Sequence, residues 1–140
     1  MTMANLKALC RDTGRIEKGE WLRLYVDLDP DKDVFVLARG ITKPFRDEVQ
    51  RRVRQLAMQH GGDASNAPPE VIQRVDKEMY IERLLMDVKG LDDDGTPVSF
   101  ERFCELLHQD EFIELWLATQ KAIQIFSGIK VEDANAAAKN

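Results

Sequence analysis

The chain of 140 residues carries a formal charge of −5, with 44% hydrophobic and 32% charged residues. That length fits one domain with an adequate core, the apolar fraction excludes wholesale disorder, and charges interrupt every run approaching the ~18 apolar residues of a membrane span. Met1 to Arg11 lacks the apolar centre and cleavage site of a signal peptide, and Cys10 and Cys104 form neither a disulfide framework nor a metal knuckle, so a reducing cytoplasm is expected.

Met1 to Glu20, with Leu6, Leu9, Gly14 and Gly19, reads as a weakly anchored lead-in. From Trp21 to Leu28 apolar Leu22, Leu24, Val26 and Leu28 alternate with Arg23, Tyr25 and Asp27, the period of a half-buried strand. Asp29 to Asp33 supplies turn chemistry, and Val34 to Arg39 is a second β-prone run, so a hairpin is expected, ended by Gly40. Beyond Thr42 and Pro44 the period becomes helical, with Phe45, Val49, Val53 and Leu56 on one face and Arg46, Arg51, Arg52 and Arg54 opposite. Gly61 and Gly62 stop this helix, and a loop runs to Pro69. A third helix is predicted from Pro69 through Val71, Ile72, Val75, Met79, Leu84, Leu85 and Val88, with Gly90 just beyond its end. An acidic turn over Leu91 to Pro97 leads to a short helix capped by Ser99 and carrying Phe100, Phe103, Leu106 and Leu107. Asp110 is the expected cap of a last helix running to about Ser127, stopped by Gly128. The fold class is therefore mainly α (α+β): an N-terminal β-hairpin followed by about four helices in a small bundle, one domain over 1–130, with a disordered tail over 131–140.

Charge is unevenly distributed. Ile41 to His60 holds five basic and two acidic residues, whereas Asp87 to Glu114 holds nine acidic and two basic, a polarity that either orients protein partners or marks two solvated faces. The last helix is apolar on more than one side, through Phe112, Ile113, Leu115, Trp116, Leu117, Ile123, Ile125 and Phe126. Such a helix is either central to the core or shared with another chain. Phe112, Trp116, Ile123 and Phe126, with Arg46, Arg51, Arg52 and Arg54, are the candidate partner-binding residues. The arginines could grip phosphate, but the loop after their helix is too long for a helix-turn-helix, and overall acidity disfavours nucleic acid.

No catalytic constellation is visible, and no cofactor is implied. Gly90 to Glu101 aligns with a calcium loop through Asp92, Asp94, Gly95 and Glu101, but the first ligand position would be Gly90, so a solvated acidic turn is the expectation. His60 and His108 belong to no ligand pair, and Cys104 reads as a core thiol.

The run Leu84-Leu85-Met86-Asp87-Val88-Lys89-Gly90-Leu91-Asp92-Asp93-Asp94-Gly95-Thr96-Pro97-Val98-Ser99-Phe100, followed by Glu101, Phe103, Leu106 and Leu107, resembles tail assembly chaperones of long-tailed bacteriophages. The likeness covers Tyr80 to Phe126 and departs from the family at Val88-Lys89, where an aromatic residue is expected before the glycine. It implies a non-catalytic protein of the host bacterial cytoplasm, absent from the mature virion. Such a protein coats the helix-rich tape measure protein and helps recruit tail tube subunits during tail morphogenesis. Self-association is compatible with it, and no membrane is involved. It also implies a programmed −1 frameshift, for which Ala138-Lys139-Asn140 could be encoded by slippery codons. The competing reading is a helical adaptor or regulatory protein that binds another partner, including nucleic acid, through the arginine-rich helix.

Overall fold

A computed structural model describes residues 2–26, 32–63 and 66–132. Strands β1 (Glu20–Leu24) and β2 (Val34–Ala38) pair antiparallel, with Leu22 opposite Val36 and Leu24 opposite Val34. The alternation read from the sequence therefore makes the expected hairpin arms, while Leu28 and the turn as far as residue 31 lie outside the described residues. A third strand, β3 (Leu85–Lys89), adds antiparallel to β2, giving a sheet of order β1-β2-β3.

That strand corrects an expectation. The helix beginning at Pro69 ends at Arg83 (α3, Pro69–Arg83), and Leu84 to Val88 does not continue it. The reason is tertiary. Arg39 donates its amide to the Leu84 carbonyl at 2.8 Å, and the β2–β3 register slips between Leu37 and Ala38, a bulge that leaves both Leu85 and Val88 buried. A bulged strand thus mimics the i, i+3 spacing of a helix face.

Helices α1 (Thr13–Lys18), α2 (Lys43–Gln59), α4 (Phe100–Leu106) and α5 (Ile113–Phe126) complete the main elements, with a small hairpin of β4 (Asp92–Asp93) and β5 (Thr96–Pro97). The hairpin turns through Asp94 and Gly95, at φ +50° and +90°, the left-handed pair that suits a tight two-residue turn. Ser99 caps α4 as expected, its hydroxyl accepting from the Arg102 amide at 3.1 Å. Asp110 instead opens a single 3-10 turn ahead of α5 and makes no side-chain cap there.

The result is an α+β fold whose long helices pack onto a sheet and do not form a bundle by themselves. One sheet face, through Leu22, Leu24, Val34, Val36, Ala38, Leu85 and Val88, shares a continuous core with Met79, Tyr80, Phe103, Leu107, Ile123 and Phe126 from the helical layer. Each large side chain fully buried there contributes about 1.5–3 kcal/mol. The N-terminal segment is more firmly held than its polar sequence implies. Ile16 is fully buried, and Arg11 donates from Nε to the Ser127 carbonyl at 2.8 Å and from Nη2 to the Ile41 carbonyl at 2.6 Å. The Asp12 amide bonds the Ile129 carbonyl, and the Val131 amide bonds that of Cys10, so the described chain beyond α5 is tied back to its beginning. The tail expected over 131–140 lies outside the described residues from 133 onward. Among the described residues, no helix is long and apolar enough to cross a membrane.

Candidate functional site

Helix α2 presents its arginines because Phe45 and Leu56, with the partly buried Val49, turn the opposite face inward. The four arginines have different fates. Arg51 donates from Nε to Glu48 Oε2 at 2.9 Å, and Arg52 reaches Glu82 of α3 at 2.6 Å and Glu48 at 3.7 Å. Arg83 of α3 also approaches Glu48, at 3.4 Å. The Arg51 hydrogen bond, aided by the charges of Arg51, Arg83 and Arg52 and opposed by desolvation, holds the Glu48 carboxyl down at about 2. Arg51 and Arg52 are therefore engaged within the chain, in a network that joins α2 to α3. Arg46 and Arg54 are exposed and form no ion pair among the described residues. Two free guanidinium groups provide little of the phosphate contact that nucleic-acid binding requires.

The expected apolar contacts on α5 also divide. Trp116, Ile123 and Phe126 are 7%, 0% and 0% exposed and belong to the core, so they are not available to a partner in this fold. The Trp116 ring meets Tyr80 edge-on at 5.3 Å, and Tyr80 meets Phe45 likewise at 5.7 Å, a stack linking α5, α3 and α2. Thr119 is buried in the same face and satisfied by donating its hydroxyl to the Leu115 carbonyl at 2.8 Å. Of the four apolar residues expected to bind a partner, only Phe112 remains accessible, and Ile113, Leu117 and Ile125 are exposed with it.

Beside this exposed edge lies a groove. A cavity of about 320 Å³ opens between α4, α5, the β4–β5 hairpin and the chain just after β1. Its apolar lining comes from Val26, Leu91, Val98, Leu106, Phe112 and Leu115, and its polar lining from Asp92, Asp93, Arg102, Glu111 and Glu114. A second depression of about 330 Å³ shares Val26 and Glu114 and adds Tyr25, Leu117, Ala118 and Lys121. The two adjoin at Val26 and Glu114 on the side of α5, and their lining on that side runs from Glu111 to Lys121, an interval of about 15 Å at helical rise. Arg102 is paired with Asp93 at 2.7 Å, so Asp92 and Glu111 leave one end acidic, Glu114 lies where the two depressions meet, and Lys121 marks the other end.

Apart from Phe112, the groove residues were not singled out as partner contacts by the sequence. The available signal was Leu117, which lies off the stripe defined by Leu115, Thr119, Ala122 and Phe126 and lines the second depression. A further cavity of about 390 Å³ at the start of α2 is lined by Glu17, Arg39, Thr42, Glu48 and Arg83 among others, equal in acids and bases. Among the described residues no three His, Cys, Asp or Glu side chains are grouped to hold a metal ion. The Cys104 thiol is pushed up chiefly by burial, which disfavours a reactive thiolate. No family model, curated protein or solved structure significantly matches the chain.

Proposed function

We propose that this protein is a non-catalytic tail assembly chaperone that holds helical segments of a tape measure protein in the groove along α5. The observation that supports the reading most directly is the groove itself: long enough for about three helical turns, largely apolar and open to solvent. Its wall and the resemblance coincide, because Leu91, Asp92, Asp93, Val98, Arg102 and Leu106 all fall in the segment that resembles the chaperone family. A tape measure is a long helix-rich chain with apolar stripes that aggregates when unshielded. Shallow contacts repeated along it by many copies give avidity yet allow release when tube subunits arrive. In this reading the protein acts in the host bacterial cytoplasm, helps recruit the tail tube protein and is absent from the mature virion.

The test is co-expression with the tape measure protein of the same phage or prophage. The wild type is expected to keep that client soluble and to co-purify with it. The double variant Phe112→Ser, Leu117→Asp, altered only at exposed positions, is expected to capture at least tenfold less while retaining its circular dichroism spectrum. Equal capture by both, or none by either, rejects the reading.

A further inference from the structure

The groove carries more information than its apolar lining, because its charges are arranged. Asp92 and Glu111 stand at one end and Glu114 where the two depressions meet, with no ion pair among the described residues, and of the acidic set Asp93 is neutralised, by Arg102. An apolar client bearing acidic flanks would bring like charges together at this rim, whereas basic flanks would be attracted to it. Lys121 is the cation among the described residues lining the second depression, seven residues along α5 from Glu114. The positive end of a helix dipole is favoured near carboxylates and the negative end near a cation, so charge also favours one direction for the occupant.

From this complementarity we infer that the groove selects a basic amphipathic helix of a partner protein, about three turns long. Its apolar stripe faces Val26, Leu106 and Leu115, its Lys or Arg residues flank that stripe, and its N-terminus lies toward Glu111. This specifies the client chemistry of the proposed chaperone site and rests on the groove being the client site. It does not depend on the client being a tape measure. The bound helix runs parallel to α5, since α5 itself passes from the acidic end toward Lys121.

The experiment uses the full chain and three fluorescein-labelled helical peptides that share one leucine stripe and differ in flanks: lysine, glutamine or glutamate. By anisotropy at low ionic strength, the lysine peptide is expected to bind at least tenfold more tightly than the glutamate peptide, and to weaken as salt is raised. In the variant Glu111→Lys, Glu114→Lys the order is expected to invert. Leu117→Asp is expected to weaken all three, and serves as the second variant should the charge reversal impair folding. Direction is read by a nitroxide on either end of the lysine peptide: the N-terminal label is expected to broaden amide signals near Glu111.

Equal affinity for lysine and glutamate peptides overturns the inference while leaving a helix-binding groove in place. Failure of all three peptides overturns it even if tape measure capture succeeds, since the client would then bind elsewhere. Peptide selection as expected, with no tape measure capture, sustains the inference and rejects only the chaperone reading. Peptide affinity that falls as protein concentration rises assigns the groove to a second copy of the chain, and overturns it.

Discussion

Gly90 ends β3 at φ +90°, and a Cβ built there would collide with the Asp33 carbonyl oxygen and lie 3.2 Å from Val34 Cα. Both obstacles are backbone at the edge of β2, which cannot move aside without disturbing the sheet. Gly95 has the same φ, +90°, but a methyl group added to it would meet nothing within 4 Å. The pair separates conformational strain from steric exclusion. Gly95→Ala is expected to cost about 1 kcal/mol, the left-handed penalty alone, while Gly90→Ala is expected to cost about 3 kcal/mol or more. Urea unfolding of the two variants measures the difference; equal costs would mean that the β3–β2 junction yields easily.

Arg11 joins three elements that are distant in the chain. Its guanidinium holds the Ser127 and Ile41 carbonyls, at the end of α5 and before α2, while the neighbouring Asp12 amide bonds Ile129. Hydrogen bonds from a charged donor contribute about 1.5–3 kcal/mol, so Arg11→Ala is expected to destabilise by about that amount, with Arg11→Lys intermediate because one ammonium cannot reproduce the forked geometry. Hydrogen exchange should accelerate first at Asp12 and Gly40, whose amides bond Ile129 and Ile16; uniform acceleration would show that the segment unfolds only with the whole domain. None of this docking is legible in the polar N-terminal sequence, because Ile16 is an isolated apolar residue and Arg11 acts through carbonyls that no sequence pattern displays. The β1–β2 arms were legible because their apolar period agrees with the structure, and α2 because Phe45, Val49 and Leu56 turn inward, although Val53, expected on the same face, is 43% exposed. Leu84, Leu85 and Val88 fit either a helix or a bulged strand, and only the open edge of β2 decides between them.

Across the molecule, the charge polarity seen in the sequence is retained, but its basic half is largely spent internally on the α2–α3 network, leaving the acidic groove as the less compensated surface. The site was legible to the extent that an apolar last helix announces a surplus. Which of its faces is surplus was not, because Trp116 and Leu117 are adjacent in sequence and the core claims one of them. The internal network has a consequence for acid stability. Glu48 ionises at about 2 in the fold against an ordinary 4.5, so its contribution is fully present above about 4.5 and is lost as pH falls toward about 2. Asp76 has the opposite sign: burial raises its pKa, so a penalty for holding it ionised applies at neutral pH and disappears below the ordinary value of 3.8. Glu48→Gln is therefore expected to lower the urea midpoint near neutral pH, with the deficit closing as pH approaches about 2. Asp76→Asn is expected to raise the midpoint near neutral pH, and to match the wild type in acid. Midpoints followed from neutral pH into acid provide the check. Curves that stay parallel to the wild type would mean that neither carboxyl changes its proton affinity on folding, and that the α2–α3 contacts hold by packing alone.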